Sequence, residues 1–217
     1  MSKLPHPVKA AIFDMDGTLL DSMAVWDDLA RQYLLSLGVD AGQEVNDATA
    51  SMSLPESAAY IKRQYQLKMT EEEIASGINA MIKDFYFYQA PLKKGVKTVL
   101  QMLQDKDIPM CVATATDRHL VEAALERCGV RHYFKRIFTC TEVGYGKTQP
   151  EIYRRSAEFL GTNSSETLVF EDVLFALKTA ADDGFLTVAV FDAHEPRQEA
   201  LKKKADVYLR DFSEFQI

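Results

Sequence analysis

The chain has 217 residues, enough for one large domain or for a core with a small insert. Its hydrophobic fraction of 47% suits a globular protein, and a net charge of −7 without a basic stripe argues against a nucleic-acid partner. An acidic surface repels phosphorylated ligands on average, so any phosphate site has to be locally positive.

The opening residues carry no signal-like apolar region, and no apolar run reaches membrane-spanning length, so a soluble cytoplasmic protein is expected. Cys111, Cys128 and Cys140 lack metal-ligand spacing, and Cys111 and Cys140 sit in apolar, strand-like runs. Buried free thiols are the simplest account of them.

Val8 and residues 10–13 read as a buried strand, broken by Gly17. It ends in two carboxylates, Asp14 and Asp16. Held close together, these repel each other, and burial pushes one towards the neutral form. A cation between them removes both problems, and an oxygen-only ligand set favours Mg²⁺. Taken alone, Asp and Gly here also suit a surface turn.

A helix is expected over 20–37, where Val25, Leu29, Tyr33 and Leu37 share a face, with Asp21 and Ser22 as capping residues and Gly38 as its stop. Residues 41–53 are small and polar with weak pattern. A helix over 54–67 has Pro55 in its first turn, and Thr70 with Glu73 forms a capping box for a longer one reaching about Gln89. The aromatic run at 85–88 cannot all face one core, so part of it belongs at a cleft or a domain boundary, or else as exposed rings at a helix end.

From Pro91 the pattern alternates. Helices are expected over 95–106, 118–128, 150–160, 174–183 and 196–204. Strands are expected over 108–114, 136–140, 167–170 and 186–191, with a last edge strand at 206–209. Thr148 with Glu151, and more weakly Asp192 with Glu195, look like capping pairs. Alternation of this kind means a parallel sheet covered on both faces. The fold class is α/β, a Rossmann-like core of 1–20 and 91–217 with a small all-helical cap inserted at 21–90.

Sites in such sheets lie outside the carboxyl ends of the strands. Those ends carry Asp14, Asp16, Gly17 and Thr18; Thr114, Ala115 and Thr116; Lys147; and Glu171 with Asp172. Carboxylates for a metal, hydroxyls, one cation and tight-turn amides are the parts of a phosphoryl-transfer site.

With DMDGT at 14–18, the threonines at 114 and 116, GKTQPEIY at 146–153 and FED at 170–172, the chain resembles the haloacid dehalogenase superfamily. The match is to its phosphatase and β-phosphoglucomutase-like branch. The resemblance implies Asp14 as the nucleophile forming an aspartyl-phosphate, and Asp16 as general acid and then base, also lending its backbone carbonyl to Mg²⁺. It implies Thr114 and the Ala115 N–H as phosphoryl donors, with Gly17, Thr18, Thr116 and Trp26 on the substrate side. Lys147 neutralises the phosphate. Asp172 ligates Mg²⁺, and Glu171 does so directly or through water.

The pattern departs from the family at Lys94 and Thr148, where Pro is common, and at Val173 and Ala176, where Ser and Gly are common. The implied activity is Mg²⁺-dependent hydrolysis of a small phosphomonoester such as a sugar phosphate or nucleotide. The partner is a small phosphorylated metabolite, with no nucleic acid and no membrane, and the protein a monomer or weak homodimer. The alternatives are a phosphoglucomutase-like phosphotransferase, disfavoured by Trp26 at the position of a cap-side histidine, and a binding module without turnover. Trp26, Tyr86 and Tyr88 suit either substrate contact or packing. His6, His119, His132 and His194 read as surface or satisfied histidines, with His119 alone near a strand end.

Overall fold

The strand β1, Ala10–Phe13, is buried at every residue because both of its faces are covered. In the computed structural model, which describes residues 7–217, it lies at the middle of a parallel sheet. The segment 1–6, with His6, lies outside the described residues.

After β1 the chain forms α1 (Leu29–Ser36), α2 (Glu44–Thr49), α3 (Leu54–Gln64) and α4 (Glu71–Tyr88) with no strand among them. It then alternates α5 (Val96–Asp105), β2 (Met110–Thr114), α6 (Arg118–Arg127) and β3 (Phe134–Thr139). The short α7 (Cys140–Val143) leads to α8 (Glu151–Leu160), β4 (Thr167–Glu171), α9 (Leu174–Asp182) and β5 (Leu186–Val190). Last come α10 (Gln198–Lys204) and β6 (Val207–Leu209).

The strand order is β3-β2-β1-β4-β5-β6, with every pairing parallel. Phe13 is opposite Val112 on one side and Phe170 on the other, so the carboxyl ends of β1, β2 and β4 stand nearly level. Side chains alternate across the sheet. Ala11, Phe13, Val112 and Phe170 face α5 and α6, while Ile12, Cys111, Ala113 and Val169 face α8 and α9. Phe13 stacks on Phe170 at 4.2 Å, and Phe212 closes over both.

The helical excursion is anchored at one neck. Leu20 bridges antiparallel to Leu92, Asp21 N–H donates to Pro91 O at 2.9 Å, and Lys93 N–H donates to Leu19 O at 2.9 Å. Thr70 and Glu73 form the expected capping box, and Ser53 and Glu56 form another at the start of α3. No helix among the described residues is long and apolar enough to cross a membrane.

Several expectations are corrected. The helix read over 20–37 is a short 3-10 turn at Met23–Val25 followed by α1, because Ser22 caps nothing and donates instead to the Asp16 carboxylate at 2.6 Å. The weakly patterned 41–53 contains α2. β3 starts earlier than expected, and Cys140 opens α7 rather than ending a strand. Neither later capping pair forms. α8 begins after Pro150 without a side-chain cap, Asp192 bonds Lys93 and His194, and Glu195 accepts from Leu174 N–H at 2.8 Å. That last bond accounts for one family departure: Val173 precedes α9 without a capping side chain, and Glu195 reaches over to satisfy the orphaned amide.

Lys94 finds its own role, pairing with Asp211 at 2.8 Å. Gly95 beside it has φ +84°, and a Cβ there meets the Ser213 backbone nitrogen at 2.6 Å, so the close approach of the C-terminal segment requires glycine.

Two substitutions test this packing by urea denaturation. Phe212→Ala removes a buried ring from the stack and is expected to cost about 3–5 kcal/mol. Thr70→Ala removes one exposed cap and is expected to cost about 1 kcal/mol. Equal losses would contradict the assignment of Phe212 to the core.

Candidate active site

With β2 and β3 on one side of β1 and β5 and β6 beyond β4, the strand order reverses between β1 and β4. The helices on either side of that point leave a crevice at the carboxyl ends of those two strands. Asp14 follows β1, Glu171 ends β4, and Asp172 follows it. All three are buried, and one carboxylate oxygen from each lies within 4.8 Å of the others.

Lys147 is brought to the same place by the loop between α7 and α8. Its ammonium donates to Asp14 Oδ1 and, at 2.7 Å, to Glu171 Oε1. Burial works against the lysine charge, but Asp14 and Glu171 more than offset it and raise the ammonium above its ordinary range. One cation cannot satisfy three carboxylates. Burial pushes Glu171 up to about 7 against the pull of Lys147. Burial, with the charges of Asp14 and Glu171, holds Asp172 well above the usual carboxylate range.

The hydrogen bonding leaves a distinct deficit. Asp14 Oδ2, Glu171 Oε2 and Asp172 Oδ2 are buried without a partner. Their sister oxygens are occupied: Asp14 Oδ1 by Lys147, Glu171 Oε1 by Lys147 and Tyr153, and Asp172 Oδ1 by Thr18 Oγ1 at 3.2 Å. Orphaned carboxylate oxygens of this kind are costly unless a cation faces them. An all-oxygen donor set of this size fits a hard divalent ion such as Mg²⁺. Gly17 keeps the space clear: at φ +77° it has no Cβ, and one placed there would lie 2.2 Å from Asp172 Oδ2.

Asp16 stands apart from that cluster by its carboxylate. Oδ1 accepts from Ser22 Oγ at 2.6 Å and from the Tyr86 hydroxyl, and Oδ2 accepts from Thr116 Oγ1 at 2.6 Å. Burial and the Asp14 charge raise its pKa, while the three hydroxyl donors work in the other direction.

The other expected residues fall in place unevenly. Thr114 is fully buried at the end of β2, where its Oγ1 accepts from Thr116 N–H at 3.1 Å, and Ala115 is exposed beside it. Thr18 and Thr116, read as substrate contacts, spend their hydroxyls on Asp172 and Asp16. Trp26 is half-buried and donates its indole N–H to Tyr86 at 2.8 Å. Of the neighbouring tyrosines, Tyr86 is buried and Tyr88 is 71% exposed. His119 is exposed. Cys111 and Cys140 are buried free thiols, both pushed up to about 12 chiefly by burial, and Cys128 is half-buried.

Sequence reasoning missed Tyr153 and Asn79, and His194, read as a surface or satisfied histidine, is satisfied by two carboxylates. Tyr153, fully buried, donates to Glu171 Oε1 at 2.7 Å and helps fix that carboxylate. Its signal was available: it lies on the buried face of α8 with Ile152, Ser156 and Ala157, and a buried tyrosine hydroxyl needs a partner. His194 joins the β5–α10 loop to the helical excursion, with Nε2 3.1 Å from Asp27 Oδ2 and Nδ1 2.8 Å from Asp192 Oδ1. Asn79 on α4 donates to Asp117 Oδ2 at 2.6 Å, just beyond β2.

The chain is 25% identical over 213 residues to "Hexitol phosphatase B" of Escherichia coli, covering 97% of this chain and 95% of that protein. It is 28% identical to "Validoxylamine A 7'-phosphate phosphatase" of Streptomyces hygroscopicus, covering 95% of each. In structure it is similar to CbbY from Rhodobacter sphaeroides, solved in complex with phosphate, with a TM-score of 0.82 and 22% identity over 95% of this chain and 96% of that one. A family model described as haloacid dehalogenase-like hydrolase matches residues 8–182. The chain belongs to the haloacid dehalogenase-like hydrolase family.

Proposed function

We propose that this protein is a Mg²⁺-dependent phosphatase that hydrolyses a small phosphomonoester of the sugar or polyol phosphate class through an aspartyl-phosphate on Asp14. The observation that carries the reading is the set of three buried, unpartnered carboxylate oxygens on Asp14, Glu171 and Asp172 beside a single lysine. The names of the phosphatases most similar in sequence support the substrate class. Residues 1–20 and 91–217 serve as the catalytic core, and 21–90 as a cap that selects the leaving group.

In the first half of the reaction a carboxylate oxygen of Asp14 attacks phosphorus. The bond from phosphorus to the ester oxygen breaks, and that oxygen leaves with a proton from Asp16. In the second half Asp16 takes a proton from the attacking water, the aspartyl-phosphate opens, and inorganic phosphate and the Asp14 carboxylate are restored. Lys147 lowers the cost of bringing an anionic nucleophile to an anionic phosphate. Thr114 Oγ1 and the Ala115 amide, at the carboxyl end of β2, donate to the phosphoryl oxygens. Asp14, Glu171 and Asp172, with the Asp16 backbone carbonyl, would hold Mg²⁺, which when bound supplies positive charge to the phosphoryl group and to the crowded carboxylates. Trp26 stands where a phosphoglucomutase-like enzyme has a histidine, and its indole N–H, which can only donate, is committed to Tyr86. Hydrolysis is therefore favoured over phosphotransfer between sugar positions.

Phosphate release from a panel of hexose, hexitol, pentose and nucleoside monophosphates tests the proposal, with and without Mg²⁺. Release is expected only with the metal, and Asp14→Asn is expected to reduce it to background without loss of the fold. Conversion of a sugar bisphosphate to its isomer without phosphate release would replace the phosphatase with a mutase. Asp16→Asn is expected to lower turnover by about 10²–10⁴-fold for poor leaving groups and by less for good ones; an equal loss for both would contradict the acid role. Mg²⁺ at about 100 times its Kd is expected to stabilise the wild type by about 2.7 kcal/mol. In thermal melts Asp172→Asn should lose that increment, and its persistence would place the metal elsewhere.

A further inference from the structure

The hydrogen bonds around Asp16 have a fixed direction, and the residue that fixes it comes from the cap. An indole N–H can donate and cannot accept, so in the contact between Trp26 Nε1 and the Tyr86 hydroxyl, 2.8 Å long, the phenol oxygen is the acceptor. Tyr86 has one proton of its own, and that proton is left pointing at Asp16 Oδ1. The ring is completely buried, so no bulk water offers it another partner. Ser22 Oγ meets the same Oδ1 at 2.6 Å. Thus Oδ1 is occupied by two hydroxyl donors, and Oδ2 faces only Thr116 Oγ1 at 2.6 Å. The threonine hydroxyl can turn and accept, whereas a phenol that accepted from both the indole and Asp16 would have to turn its own proton away from both, so the arrangement favours donation from Tyr86 to Oδ1. A proton carried by Asp16 as an acid is thereby directed to Oδ2, the oxygen that faces Thr116 just beyond β2.

The three groups come from both sides of the neck. Ser22 and Trp26 lie where the chain leaves the core, and Tyr86 lies in the last turn of α4, where it returns. From this geometry, and resting on the reading of Asp16 as the general acid–base group, we infer that Tyr86, locked by Trp26, is a positioning residue for Asp16. It is the cap's contribution to the proton transfer, presenting one chosen carboxylate oxygen to the leaving group.

The test compares two esters of nearly equal shape, phenyl phosphate and 4-nitrophenyl phosphate, in the Mg²⁺-loaded enzyme. The first has the poorer leaving group and needs the acid more. Tyr86→Phe is expected to lower kcat/KM for phenyl phosphate about tenfold more than for 4-nitrophenyl phosphate, with KM little changed. Trp26→Phe should act in the same direction but less, and it serves alone if Tyr86→Phe does not fold. In an Asp16→Asn background, Tyr86→Phe should have no further effect, because the group through which it acts is gone. Equal losses on the two esters, or a full additional loss in the Asp16→Asn background, would reduce Tyr86 to core packing and overturn the inference. If Asp16→Asn itself fails to discriminate between the esters, the acid role falls and this inference falls with it. If Asp16→Asn discriminates and neither Tyr86→Phe nor Trp26→Phe does, only the role of Tyr86 is lost.

Discussion

The mutual repulsion of three buried carboxylates, Asp14, Glu171 and Asp172, is the constraint on which the rest of this structure depends. Parallel strands β1 and β4 place two of them side by side, because Phe13 and Phe170 are register partners and each acid follows directly. A sheet packed on both faces leaves these groups almost no contact with bulk water. Lys147 offsets part of the charge, and the remaining deficit appears as carboxyl groups displaced upward and oxygen atoms without partners. The loop that carries Lys147, the glycine at Gly17, and the hydroxyls of Thr18 and Tyr153 are all arranged around that deficit. An arrangement of this kind gives up stability, and it suits a divalent cation placed among the three acids.

The core was legible in the sequence for a local reason. Short apolar runs ending in Asp, Thr or Glu mark strand ends, and in a parallel sheet with crossover helices those ends converge whatever lies between them. Asp14, Thr114, Glu171 and Asp172 could each be assigned from a few neighbouring residues. The helical block was readable where capping chemistry was local, as at Thr70 and Glu73. It was misread at Ser22, where the apolar spacing ran on into α1 while the side chain was drawn away by Asp16. The supposed capping pairs Thr148–Glu151 and Asp192–Glu195 failed similarly. Glu195 serves the start of α9 across a separate loop, and Asp192 pairs with Lys93, from a part of the chain distant in sequence.

What stayed hidden in the sequence was the set of partners that hold Asp16 and Glu171. Tyr86 reaches Asp16 from 70 residues away, and Tyr153 reaches Glu171 from 18. Neither has a spacing rule, because each contact is created by packing and not by chain proximity. The aromatic run ending α4 signalled a boundary, yet nothing in it distinguished the buried Tyr86 from the exposed Tyr88. The helical excursion and the core meet through polar contacts of this kind, Tyr86 with Asp16, Asn79 with Asp117 and His194 with Asp27. They are laid over a hydrophobic cluster that runs continuously from the sheet into the helical excursion. This is how a segment remote in sequence from Asp14 comes to shape its surroundings.

The proposed covalent step on Asp14 can be tested directly. The Mg²⁺-loaded enzyme is mixed with the best substrate of the panel, quenched in acid within the first turnover, digested and analysed by mass spectrometry. The account predicts a phosphorylated peptide with the modification on Asp14, appearing before free phosphate reaches its steady rate and decaying once substrate is exhausted. Steady phosphate release with Asp14 unmodified at every quench time, or with the phosphoryl group on another residue, would contradict it.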